Sequence, residues 1–100
     1  MMNIQALMKQ AQKMQNDVLK SKEVLNKKIF EEKYSSVTVQ VNGAKEIKKI
    51  EIDKNIELDQ EDIEMLEDTI MIAINNAFKK VDEETEKALG KYGQGLSGLM

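Results

Sequence analysis

One hundred residues, 41% hydrophobic and 33% charged, make a single globular domain and exclude a disordered chain. Cysteine and histidine are both absent, which excludes disulfides, thiolate metal sites, cysteine nucleophiles and the commonest acid–base residue near neutral pH. The net charge of −3 conceals a gradient: residues 1–30 carry six lysines against Asp17 and Glu23, whereas residues 61–100 carry four lysines against nine acids. A polyanion responds to that local potential and not to the total.

All fifteen basic residues are lysines. No apolar run approaches the ~20 residues that span a bilayer. Met1 to Gln5 lacks the basic-then-apolar order of a signal peptide. A soluble intracellular protein with no membrane contact is expected.

Asn3 to about Lys28 reads as one helix. Ile4, Ala11, Val18 and Leu25 recur every seventh residue, with Leu7, Met14 and Ser21 between them. This is the a/d seam of a two-helix coiled coil. Such a helix, about 39 Å long at 1.5 Å per residue, outruns a small sheet, so part of it should project. Ile29 to Ser36 is less regular. Ile29, Phe30 and Tyr34 suit a short strand, with Glu31-Glu32-Lys33 as its exposed part or a turn.

Val37, Val39 and Val41 alternate with Thr38 and Gln40, the period of a half-buried strand. Asn42-Gly43 follows, a favoured pair where a hairpin needs positive φ. In the next run, Ile50 and Ile52 share a parity that Ile47 does not. Ile47 therefore either faces away from them or sits at a β-bulge.

Asp59 can cap a second long helix, with Glu61, Asp62 and Glu64 at the positive end of its dipole. Ile63, Leu66, Ile70, Ala73, Ala77 and Val81 form its stripe, broadened by Ile74 and Phe78. Gly90 is read as its C-cap, which closes a domain over 1–90 and leaves 91–100 as a flexible glycine-rich tail. The valine face, Val37, Val39 and Val41, and the middle of the second helix, Ile70, Ala73, Ile74 and Ala77, exceed what one chain covers easily. A symmetric homodimer that shares these surfaces, with the sheet edges and the middle of the second helix as its contact, is the economical solution.

Leu7-Met8-Lys9-Gln10-Ala11-Gln12-Lys13-Met14-Gln15 resembles the opening of the YbaB/EbfC family of bacterial nucleoid-associated proteins. Val41-Asn42-Gly43 and Ile50-Glu51-Ile52-Asp53 resemble its central signature. Glu64 to Asp68 and Ala73 to Ala77 resemble its second helix. The resemblance covers Ile4 to Leu89. It implies an α+β fold: an α-β-β-β-α subunit with a small antiparallel sheet between two long helices, paired as a tweezer-like homodimer. It also implies binding of double-stranded DNA with little or modest sequence preference, in the bacterial cytoplasm or nucleoid. Two departures stand out. Glu31 to Ser36 holds no glycine where the family has a glycine-rich link. Lys48, Lys49, Lys79 and Lys80 stand where the family commonly has arginine. Lysine is a point charge without the bidentate fork, so it suits phosphate contact and not base readout.

Lys13, Lys20 and Lys27 are seven apart and Lys9 lies one turn before Lys13. They form either a phosphate-contacting edge or an ordinary solvated face. Lys79 and Lys80 cannot share a face, so one can reach DNA while the other pairs with Glu83 or Glu84. Asn75 and Asn76 make a polar contact across a dimer or point to solvent. Asp82, Glu83, Glu84 and Glu86 read as a solvated face, not a cation site. Met8, Met14, Met65 and Met71 read as core or seam. No glycine-rich phosphate loop, Ser–Lys spacing or paired-carboxylate constellation is present, so neither an enzyme nor a cofactor or small-molecule site is expected. The rival to a DNA-gripping dimer is a dimeric protein–protein interaction module with incidental DNA affinity.

Overall fold

The structure, a computed structural model, describes residues 3–90. Their elements are α1 (Ile4–Lys27), β1 (Ile29–Tyr34), β2 (Val37–Asn42), β3 (Ile47–Ile52) and α2 (Gln60–Gly90). The strands form one antiparallel sheet in the order β1-β2-β3. This is the α-β-β-β-α order expected. The expected tail, 91–100, lies outside the described residues.

Asn3 starts α1: its side-chain oxygen accepts the Gln5 N–H at 3.0 Å. Lys28 ends it by turning to extended backbone. Of the long apolar seam only Val18 and Leu25 are buried. Ile4, Leu7, Ala11 and Met14 are exposed, because α1 meets α2 and the end of β2 only toward its C-terminus. The rest of α1 is an arm, and the molecule measures 74 × 20 × 14 Å.

β1 is longer than its composition suggests. Glu31, Glu32 and Lys33 are inside the strand, and the turn is the pair Ser35-Ser36. Pairing with β2 overrides their poor strand preference. With no glycine available, Ser35 takes a left-handed φ of 55°.

Val37, Val39 and Val41 have no exposed surface, and neither do Ala73 and Ala77. These five, with Phe30 and Val81, are the core of the subunit itself, ringed by Ile52, Leu66, Ile70, Ile74 and Phe78. The small Ala73 and Ala77 let α2 lie close on the valines. Their burial is therefore complete without a second chain, and only Ile70 and Ile74 of the surfaces assigned to a dimer keep an exposed part.

The parity conflict in β3 is resolved by a bulge. Gln40 faces Lys49, but Val41 faces Ile47, which leaves Lys48 as the extra residue. Ile47, Ile50 and Ile52 thus all lie opposite valines, on the core side of the sheet. α2 packs over β1 and β2, and Ile47 and Ile50 beyond it remain 46% and 44% exposed.

Asn42-Gly43 does make the turn, but for another reason than positive φ, which falls on Lys45 at 60°. A Cβ on Gly43 would stand 1.8 Å from the carbonyl oxygen of Leu25 and 2.4 Å from its carbonyl carbon. Glycine is needed because the backbone of α1 rests on this turn. Asn42 is buried and uses both ends of its amide. Its Oδ1 accepts the N–H groups of Ala44 and Glu46 at 3.0 and 2.9 Å, and its Nδ2 donates to Glu46 Oε1 at 2.7 Å.

Asp59 caps α2 as expected. Its carboxylate accepts the N–H groups of Glu61 and Asp62, both at 3.0 Å, and Asp62 accepts the Asp59 N–H in return at 3.2 Å. Gly90, expected as the C-cap, is still helical. The methionines depart from expectation: Met8, Met14, Met65 and Met71 are all on the surface.

The close approach at Gly43 predicts the effect of Gly43→Ala. The methyl cannot be placed without moving α1 off the turn. Stability should fall by about 1–3 kcal/mol, the usual range for overpacking, read as a lower urea midpoint at unchanged slope.

Candidate nucleic-acid interface

The four lysines of α1 share one line. At about 100° per residue, Lys9, Lys13, Lys20 and Lys27 fall within ~40° of one another. That line lies opposite Val18 and Leu25, the two residues by which α1 is attached. The ridge therefore points away from the rest of the subunit and runs ~27 Å along the arm. All four side chains are exposed. Among the described residues, no carboxylate lies within ion-pair distance of any of them.

Lys79 and Lys80 are not on the arm. They sit where α2 crosses β1, and Lys80 reaches Glu32 of β1 at 3.8 Å. The partner expected for one of them, Glu83 or Glu84, is not the one used. Lys79 is exposed beside Asn76 and Glu83, around a shallow polar depression. The structure therefore does not bring these two lysines together with the α1 ridge. Asn75 and Asn76 are exposed in the subunit.

Two ion pairs brace the base of the arm, and neither was readable from spacing. Lys28 pairs with Glu84 at 2.5 Å and stacks 5.2 Å from the Phe30 ring centre. Lys45 pairs with Asp82 at 2.7 Å. The Lys28 hydrogen bond and charge hold the Glu84 carboxyl below its ordinary range. These pairs also disperse the acids of 82–86, and among the described residues no group of carboxylates converges to hold a metal.

Charge is divided along the length of the molecule. From Glu57 to Asp68 there are seven acids, and no lysine stands between Lys54 and Lys79. This acidic stretch starts α2 beside the Ser35-Ser36 turn, at the far end of the sheet from the Gly43 turn where α1 attaches. The acids and the exposed lysine row thus set opposite local potentials at the two ends of the molecule.

The sequence pattern of the YbaB/EbfC DNA-binding family matches residues 1–96. The chain belongs to this family. A nucleoid-associated protein of Clostridium novyi is 45% identical over 98 residues, covering 96% of this chain and 85% of that one. One of Enterococcus faecalis is 41% identical over 99 residues, covering 97% and 94%. An uncharacterised protein of Helicobacter pylori with a crystal structure shares the fold, with a TM-score of 0.74 at 25% identity over 93% of this chain and all of that one. YbaB/EbfC is a DNA-binding family and not a family of enzymes. Among the described residues no helix is long and apolar enough to cross a membrane.

The cap of α2 in this YbaB/EbfC chain carries a pH dependence. The Asp62 N–H, and after it the Glu61 N–H, donate to the Asp59 carboxylate and hold it below its ordinary value. Its folded pKa is thus below the unfolded one, so its stabilisation is complete above the unfolded value of about 3.9. It is lost as pH falls through the lower folded value. Amide shifts of Glu61 and Asp62 should hold steady down to about pH 4 and move below it. Asp59→Asn should flatten that response.

Proposed function

We propose that this protein is a bacterial nucleoid-associated protein that binds duplex DNA as a homodimer. Lysine–phosphate contacts from the projecting arms supply the affinity. The observation that carries this reading is the row Lys9, Lys13, Lys20 and Lys27, exposed, unpaired with acids among the described residues, and turned away from the subunit. The nucleoid-associated relatives and the family support DNA as the ligand. The absence of arginine supports weak sequence preference, because a lysine row senses phosphates and reads few base edges. Lys79 is a second candidate contact. Lys80, drawn toward Glu32, is the weaker of that pair.

Exposed apolar surface supports a position for the second copy. Both sheet edges are blunted against further strands: β1 turns the charged Glu32 to its core side, and β3 carries the bulge with Lys48 and Lys49. The face of the sheet is not blunted. Ile47 and Ile50 are open there, and Ile70 and Ile74 lie partly open on α2. We assign the dimer contact to this face, in place of the buried valines. Exposed Met65, Met71 and Ile72 favour a protein contact on α2 as well, which is what the rival reading of an interaction module would use.

Two measurements test the reading. Four phosphate contacts from each arm, eight per dimer, give a log–log salt slope of about −7 for duplex binding. Replacing Lys13, Lys20 and Lys27 by Gln should make the slope shallower by about 5. An unchanged slope would remove the ridge from the interface, and no binding at low salt would favour the interaction module. Separately, Ile50→Lys should weaken the dimer at least ~10-fold, a loss of about 1.4 kcal/mol, by analytical ultracentrifugation. The residue is open in the subunit, so the fold should survive.

A further inference from the structure

The first half of α1 bears an apolar stripe that is left open among the described residues. At about 100° per residue, Ile4, Leu7, Ala11 and Met14 fall within ~80° of arc, on the side of the helix that also holds Val18 and Leu25. Those two are buried, whereas Ile4 is 71%, Leu7 43% and Met14 50% exposed. The seam is thus closed at the base of the arm and open over ~15 Å toward its tip.

What borders the seam indicates its occupant. Met8 and Gln15 flank it on one side and Gln10 on the other. From Asn3 to Asn16 the only charged side chains are Lys9 and Lys13. Both are on the far side of the helix, ~140–180° from the seam. Coiled-coil partners of different sequence are selected by charges at the flanking positions. A partner that carried such charges would find none to pair with here. A second copy of the same arm does match. Its seam is apolar, its flanking amides both donate and accept, and its lysines stay outside the contact.

The open seam is also self-complementary. Laid antiparallel about a two-fold axis level with Lys9, Ile4 meets Met14 of the second copy, and Leu7 meets its small Ala11. The overlap ends before Val18, where the seam is already covered. It leaves the bodies of the two subunits at opposite ends of the contact.

We propose that the tip of α1 is a self-association surface through which arms of two different dimers pair, and that the pair bridges two duplexes. The bridge, unlike the pairing, rests on the reading of the lysine row as the DNA contact. Row and seam are on opposite sides of α1, so an arm that turns its lysines to a duplex turns its seam away from it. In the antiparallel pair the two rows face outward in opposite directions, each toward a duplex of its own. A contact this short is weak alone, but arms held on DNA meet at a raised effective concentration.

Leu7→Gln with Met14→Gln removes the seam and spares the lysine row. Both residues are exposed in the subunit, so the melting temperature should hold. In analytical ultracentrifugation the wild-type protein should form species larger than a dimer as its concentration rises. The variant should need at least ~10-fold more protein to do so. Mixed with a donor-labelled and an acceptor-labelled duplex, the wild-type protein should produce energy transfer between them. The variant should bind either duplex with the wild-type salt slope and give no transfer. Larger species or transfer at equal levels in variant and wild type would overturn the proposal. So would a wild-type protein that binds duplex but neither bridges nor grows beyond a dimer. Failure of the wild-type protein to bind any duplex would instead strike the lysine row, and the bridge with it, while sedimentation still decides the pairing. Slow amide exchange at residues 7–14 that does not change with concentration would mean that the chain covers its own seam, which also overturns the pairing.

Discussion

The geometry of this protein depends on one backbone-to-backbone contact, the seat of Leu25 on Gly43. It determines where α1 ends against the sheet, and so where the arm points. Side-chain repacking cannot compensate for a change there, because the atoms that meet are a carbonyl group and an α-carbon. The turn is stiff enough to receive a helix because Asn42 occupies its centre with its hydrogen bonds made. Lys28–Glu84 and Lys45–Asp82 then tie α2 to the same junction from two directions. Each pair is exposed and contributes little stability alone. Their role is directional, since both converge on the point from which the arm leaves.

That direction gives the charge gradient its meaning. The molecule is 74 Å long, and at physiological salt the screening length is about 8 Å. The acidic start of α2 and the lysine row of α1 therefore act on their surroundings independently. A net charge of −3 describes neither end. An acidic protein can in this way present a cationic surface, provided that the two charge sets are kept apart by a rigid body.

Much of this was legible in the sequence, and the failures have a common cause. Periodicity revealed the helices and the valine strand, and the spacing of Lys9, Lys13, Lys20 and Lys27 placed them on one line. The Asp59 cap was readable because it is local. What periodicity cannot give is which surface meets which. Ala73 and Ala77 look like a leftover face until α2 is seen lying on the valines, where only small residues fit. Asn42-Gly43 announced a turn, but the demand for glycine comes from Leu25, eighteen residues earlier. Glu31 to Lys33 read as a poor strand because their strand character is imposed by β2. That no carboxylate among the described residues pairs with the lysine ridge was equally hidden, since it depends on where the acids of α2 are carried. The shift of Ile47 in parity was visible, but choosing the bulge needed the register with Val41.

The shape of the ridge bears on why a second arm belongs to the proposed function. Four lysines in a straight line of ~27 Å face a duplex whose backbone makes a full turn in about 34–36 Å. Over the length of the ridge a single phosphate strand winds most of the way round the duplex. One straight arm therefore meets a given strand only where it crosses the ridge and loses it elsewhere. Long flexible lysine stems widen each crossing but do not remove the mismatch. A second arm across the duplex meets the backbone where the first has lost it, so paired arms engage more phosphates than one arm of twice the charge. Such a grip follows the gross form of the duplex and not its base edges, which is also what a chain without arginine is chemically suited to do.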